Sequence, residues 1–98
     1  MAFMPYSIPN HWNVVIHKKA AKRAKKLPQN VQVLFNALIR DLILTGPSQY
    51  DWPGYSKLTK GRFHCHLNRG HVAVWDVIDN EVRILEVTYV GSREDAPY

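Results

Sequence analysis

The segment Gly61-Arg62-Phe63-His64-Cys65-His66-Leu67 constrains the fold of this chain more than any other stretch. Polar Arg62, His64 and His66 alternate there with apolar Phe63, Cys65 and Leu67. Side chains of a strand switch faces at every residue, so the run reads as a half-buried strand. One face meets a core. The other carries a guanidinium and two imidazoles. Imidazoles exchange protons near neutral pH and a guanidinium forks onto phosphate, so that face suits an anionic partner.

The neighbouring segments supply a core for such a strand. Residues His11 to His17 predict a first strand, with Trp12, Val14 and Ile16 on one face. Lys18 to Leu27 predicts a short helix with Ala20, Ala24 and Leu27 in one stripe and cations elsewhere. Pro28 opens a second helix, where its missing N–H costs nothing. Val31, Leu34, Phe35, Leu38 and Leu42 follow at helical spacing, widened by Ile39 and Ile43, until Gly46-Pro47 stops the helix. After an aromatic loop to Tyr55, three strands are expected at Ser56 to Leu67, Val72 to Ile78 and Val82 to Tyr89, the first interrupted near Gly61. The expected fold is α+β, an antiparallel-dominated four-stranded sheet with a two-helix hairpin on one face, in the order β-α-α-β-β-β. Residues 1–98 read as a single domain.

Turn chemistry sets the expected register. Two-residue turns at Arg69-Gly70 and Asp79-Asn80 place His64 opposite Trp75 and His66 in a row with Ala73 and Glu86. Asp76 then faces Arg83. Phe63, Cys65, Leu67, Val72, Val74, Leu85 and Val87 collect on the opposite face, beneath the helices. A three-residue turn at Gly70 would slip the third strand by one and carry Ala73 and Trp75 to the other side.

Thirteen Lys and Arg against eight Asp and Glu leave a net charge of +5. Lys18, Lys19, Lys22, Arg23, Lys25 and Lys26 form one cluster, and the first acidic residue is Asp41. Such a cluster fits a nucleic-acid binder, a partner for an acidic protein, or simply a solvated helix face. Hydrophobic residues at 46% and charged residues at 21% are ordinary for a globular protein. Met1 to Asn10 has no cationic lead and is broken by Pro5 and Pro9, so neither a signal peptide nor a membrane anchor is expected. With its single Cys65, the chain reads as cytoplasmic.

RNA can be cut without a metal. A base takes the 2′-OH proton, an acid protonates the leaving 5′-oxygen, and cations stabilise the phosphorane between them. His64 and His66 are the candidates for proton transfer. Arg62 and Arg93, with Lys57, Lys60 and Arg69, are candidates for phosphate contact, and Trp75 and Tyr98 for stacking on a base. The competing readings are an exposed strand face without catalysis, and a metal site using His64, His66 and His71. Against the metal stand the opposite facing of Cys65 and the lack of a second cysteine. A thiol between Phe63 and Leu67 is a poor nucleophile.

The element order, Lys57-Leu58 ahead of a strand pair, the hairpin Gly70, Phe63-His64-Cys65-His66-Leu67 and the ending Tyr89-Val90-Gly91-Ser92-Arg93-Glu94-Asp95-Ala96-Pro97-Tyr98 resemble the RelE/ParE superfamily of bacterial toxins, in its RelE-like branch. The resemblance covers nearly the whole chain after Asn10. It implies a type II toxin that cleaves mRNA in the ribosomal A site without a metal or other cofactor. It also implies a cognate antitoxin as partner, and operator DNA only as a toxin–antitoxin complex. Lys57, Arg93 and Tyr98 match the family's basic and aromatic groups, and His64, His66 and Arg62 take the catalytic positions with them. Imidazoles stand at His64 and His66 where the family carries cations. Ala73 replaces a phosphate-binding arginine, whose role would pass to Arg62 or Arg93. Two other functions share this fold: a ParE-like gyrase inhibitor, which would not need the histidine pair, and a non-catalytic RNA-binding relative.

Overall fold

The structure, a computed structural model, describes residues 11–98. The sequence reading of Met1 to Asn10 lies outside the described residues. Seven elements follow one another: β1 (Asn13–Ile16), α1 (Lys18–Ala24), α2 (Gln29–Thr45), β2 (Ser56–Thr59), β3 (Arg62–Asn68), β4 (His71–Asp79) and β5 (Ile84–Ser92). They form an α+β fold with one mixed, mostly antiparallel sheet in the strand order β1-β5-β4-β3-β2. Only β1 and β5 run parallel. No helix among the described residues is long and apolar enough to cross a membrane.

Five strands stand where four were expected. Gly61 takes a left-handed φ of 80° that β-carbon-bearing residues resist, so Lys60-Gly61 turns the chain back instead of merely bending it. The anticipated long strand becomes the hairpin β2–β3, with Ser56 opposite His64 and Lys57 opposite Phe63.

The helices form as their spacing predicts. Val31, Phe35, Leu38 and Leu42 are the buried stripe of α2, and Pro28 is its N-cap residue. Gly46 ends the helix at φ 85°, its N–H donating to the Leu42 carbonyl at 2.9 Å. Ala20 of α1 and Leu27 join that stripe over Phe63, Cys65, Leu67, Ala73, Trp75, Leu85, Val87 and Val90. This is the main core. Beyond β1 the His17 N–H donates to the Val87 carbonyl at 2.9 Å, and α1 packs along β5.

The strand register departs from the expectation by one residue on β4, and the cause is local. Arg69-Gly70 is a two-residue connection, with Asn68 opposite His71. Leu67, however, is an extra residue on β3, so His66 pairs with Val72, His64 with Val74 and Phe63 with Trp75. A single bulged residue reverses the facing of everything beyond it. Val72 and Val74 therefore leave the helix side and form a second, smaller cluster with Tyr89, Leu58 and Ala96 on the far face. Ala73 and Trp75 take their places in the main core, both fully buried.

The other turn is longer than expected. Residues 80–83 make a four-residue loop that puts Asp79 opposite Ile84. The Asp79 carboxylate holds it by accepting from the Glu81 and Val82 N–H groups at 2.8 and 3.1 Å. Arg83 lies in this loop at φ 55°, and Asp76 faces Glu86 instead. The ion pair predicted between Asp76 and Arg83 is replaced by one to Arg62. Its Nε and Nη2 donate to the two Asp76 oxygens at 2.7 and 2.9 Å.

Candidate active site

The face of the sheet away from the main core is organised in three rows across the strands. Ser56, His64, Val74 and Tyr89 make the central row, with His66, Val72 and Gly91 on one side and Arg62, Asp76 and Glu86 on the other. Glu86 thus stands beside Asp76, not beside His66 as the two-residue turns predicted. The valines and Tyr89 form an apolar floor from which the two imidazoles rise.

His64 is the better buried of the pair, with 8% of its surface exposed, while His66 is half-buried. Their ring centres lie 5.8 Å apart. Ser56 Oγ sits 3.0 Å from His64 Nδ1. On the other side of the ring Tyr98 approaches edge-on, 4.6 Å between centres at 60°. Burial pushes the His64 pKa down; a main-chain hydrogen bond to Ser56 partly opposes this, and the neighbouring His66 adds to it. His64 is therefore biased toward the neutral ring. Partial burial raises the Tyr98 phenol, against the pull of the Arg93 charge, so the phenol keeps its proton at neutral pH.

His66 owes its position to the loop before β2. Its N–H donates to the Pro53 carbonyl at 2.7 Å, and its ring lies against Gly54. A β-carbon at Gly54 would come within 2.6 Å of the imidazole, and the residue has φ 64°. Glycine is required there twice over.

The candidate cations divide among separate places. Arg69 and Arg93, far apart in sequence, line one cavity of about 340 Å³ at the end of the sheet beyond His66, with Gly70, Ser92 and Glu94. The Arg93 N–H donates to the Gly70 carbonyl at 2.9 Å and ties the tail to the β3–β4 turn. Arg62 belongs to the same face but is held by Asp76, which raises its pKa through hydrogen bonding and charge. Lys57 points to the opposite face, its Nζ 5.9 Å from the centre of the Phe63 ring. Lys60 joins Lys57 along a cavity of about 590 Å³ there, and also borders the groove beside Arg62 and Asp76.

Trp75 is the clearest correction. It is fully buried, in near-parallel contact with Phe63 and Tyr55, and its indole N–H donates to the Pro47 carbonyl at 3.1 Å. No base can stack on it. Ala73 is likewise beneath the helices, opposite Cys65, so an arginine at that position would not face the histidines. Cys65 is buried and its thiol is pushed up to about 12, which leaves it unreactive. His71 turns to the Asn68 side chain at 3.0 Å, away from the pair. Among the described residues no three His, Cys, Asp or Glu side chains gather as metal ligands do.

Ser56 and Gly54 were missed from sequence. Reading Lys60-Gly61 as a two-residue turn would have put Lys57 opposite His64; the register shift between Lys57 and Thr59 brings Ser56 there instead. Nothing local points to Gly54. A second basic region reaches this face from α1: Lys19, Lys22, Arg23 and Lys26 line a cavity of about 330 Å³, and the Arg23 guanidinium lies 5.0 Å over the Tyr89 ring.

No family model matches the sequence, and no curated protein matches it. Solved structures match it well in shape. RelE in the archaeal RelE–RelB complex of Pyrococcus horikoshii superposes with a TM-score of 0.69 at 16% identity, over 88% of this chain and 99% of that one. A mutant of the E. coli toxin RelE in the free state gives 0.69 at 17% identity, over 88% and 87%. The YoeB–YefM complex of Staphylococcus aureus gives 0.65 at 17% identity, over 84% and 97%. Identities this low speak for architecture alone. By its architecture the chain has the fold of the RelE/ParE toxin superfamily, the type II toxin fold of RelE and YoeB.

Proposed function

We propose that this protein is the toxin of a type II toxin–antitoxin system and cleaves mRNA on the ribosome by metal-independent acid–base chemistry. The observation that carries the reading is the pair of imidazoles, 5.8 Å apart, on the open face of a RelE-type sheet. One imidazole takes the proton of a 2′-OH. The 2′-oxygen attacks the adjacent phosphorus, the bond from phosphorus to the 5′-oxygen breaks, and the other imidazole gives that oxygen a proton. The products are a 2′,3′-cyclic phosphate and a free 5′-OH.

The remaining groups fit around that step. Arg93 and Arg69 converge at the His66 end, where they stabilise charge on the phosphate or hold its neighbour. Tyr98, exposed beside His64, offers a neutral phenol for stacking or hydrogen bonding. The basic side of α1 continues the positive surface past Tyr89 and suits the ribosomal RNA. Arg62 is engaged by Asp76 and stands outside the catalytic set, and the place of Lys57 across the sheet makes it a peripheral contact. A cognate antitoxin is the expected protein partner, as in the RelE–RelB and YoeB–YefM complexes. Operator DNA would be bound only by the pair, and the site of action is the cytoplasm.

Primer-extension mapping of a reporter mRNA after brief induction tests the proposal. Cleavage that requires translation and disappears in His64→Ala/His66→Ala is the expected result. Growth arrest with intact mRNA would replace it with a gyrase-type inhibitor, and neither arrest nor cleavage with a regulatory relative.

A further inference from the structure

We propose that Tyr89 is a positioning residue whose hydroxyl, acting through the Ser92–Arg93 peptide, sets where Arg93 and Tyr98 stand around the histidine pair. The assignment rests on the catalytic reading above and deepens it by naming what holds the two tail residues in place.

The Tyr89 ring belongs to the site floor, but its hydroxyl reaches along β5 and donates to the Ser92 carbonyl at 2.7 Å. Gly91 leaves it room: a β-carbon there would come within 2.9 Å of the phenol oxygen. The ring itself is fixed. It is 5% exposed, packs with Val72 and Val74, and lies under the Arg23 guanidinium at 5.0 Å.

The peptide that receives this bond is held from its other side as well. Its N–H, that of Arg93, donates to the Gly70 carbonyl at 2.9 Å. One planar unit is thus clamped at both ends, the carbonyl by the phenol and the N–H by the β3–β4 turn. Fixing that plane restricts ψ of Ser92 and φ of Arg93. Those two rotations decide where the Arg93 side chain leaves the sheet and which way the tail departs.

Beyond the clamp the tail folds back on itself. The Glu94 N–H donates to Ser92 Oγ at 3.1 Å, the Asp95 N–H shares the Ser92 carbonyl at 3.3 Å, and the Ala96 N–H donates to the Arg93 carbonyl at 3.3 Å. Bonds of that length are weak, which leaves the phenol as the main tie on the Ser92 carbonyl. The turn lays Ala96 against the floor cluster and brings the Tyr98 ring 4.6 Å from that of His64, centre to centre. Arg93 stays at the His66 end. One short turn therefore spaces a phenol at one histidine and a guanidinium at the other.

Tyr89→Phe removes this hydroxyl alone and keeps the ring on the floor and under Arg23. In the free protein the Arg93 amide should exchange about fivefold faster, and the nuclear Overhauser contact between the Tyr98 and His64 rings should weaken. On programmed ribosomes kcat should fall about tenfold, less than the roughly 10²-fold that a misplacement of about 1 Å can cost. KM and the salt dependence of binding should hold, because every cation remains. In an Arg93→Ala background the same change should cost less than about threefold, since a group it places is gone. Unaltered Arg93 exchange and ring contact in Tyr89→Phe, an unaltered kcat, or the full loss of kcat in both backgrounds overturns the assignment. If wild type cuts no mRNA, the catalytic reading fails, and the exchange and the ring contact alone decide the role of Tyr89.

Discussion

The two ends of the same sheet face carry similar residues and put them to different use. At one end His64, His66 and Tyr98 stand around an apolar floor, and Arg69 and Arg93 open onto a cavity with a single carboxylate, Glu94, among its lining residues. At the other end Arg62 is clamped by both oxygens of Asp76, with Glu86 alongside. A guanidinium already satisfied by a carboxylate has little charge left to offer a phosphate. What separates a candidate catalytic cation from a structural one is therefore its partner across the strands, and that partner is set by register.

The comparison breaks first at the histidines. His64→Ala should slow cleavage of ribosome-bound mRNA by about 10²-fold or more, with His66→Ala close behind, as expected for groups that move protons. Rates in single-turnover assays would check this. Equal loss from Arg62→Gln would erase the distinction between the two ends.

Gly54→Ala should follow. The new β-carbon meets the His66 ring at 2.6 Å in a left-handed backbone, so the loop or the imidazole must move. We expect a loss of about 1–3 kcal/mol in denaturant unfolding, together with reduced cleavage. Normal stability and activity would show that His66 does not depend on this support.

Smaller effects sharpen the contrast among the cations. Arg93→Ala and Arg69→Ala should each weaken ribosome or RNA binding and lower its salt dependence by about one unit of slope. Arg62→Gln should leave the slope unchanged and alter stability by no more than about 1 kcal/mol, because the pair is partly exposed. A slope change for Arg62 alone would reverse the roles of the two ends.

The smallest expected effect is on pH dependence. Burial lowers the His64 pKa in the folded chain, so the unfolded chain binds this proton more readily. The resulting stability is fully present above the unfolded value near 6.5 and is lost as pH falls through the lower folded value. Wild type should thus lose more Tm than His64→Gln between pH 7 and pH 5. Parallel Tm curves would argue against a buried, neutral His64.

Much of the fold was legible in the chain because its signals are local. The α2 stripe and Gly46 stop, the alternation of β3 and the basic side of α1 each reflect residues close in sequence. The facing of β3 was legible too, and it places His64 and His66 together. Residues on β4 and β5 were assigned to the wrong partners, because pairing accumulates every irregularity between strands. One bulge at Leu67 hid Trp75 in the core and moved Val72 and Val74 to the site floor. A loop two residues longer than expected, together with the register shift between Val77 and Asp79, moved Glu86 from the His66 row to that of Asp76. Neither leaves a composition signal: Leu67 is an apolar residue at an apolar position, and Asp79-Asn80 suits short and long turns alike. The convergence of Arg69 with Arg93 depends on the tail reaching the β3–β4 turn, a contact between distant segments.

The most direct test of the central claim is cleavage of mRNA on purified programmed ribosomes by wild type and by His64→Ala/His66→Ala, with product ends identified. Wild type should yield a 2′,3′-cyclic phosphate and a 5′-OH, and the double variant, still folded, should yield no cut above background. Undiminished cleavage by the double variant, or bound and uncut mRNA with wild type, would contradict the placement of the chemistry on this strand.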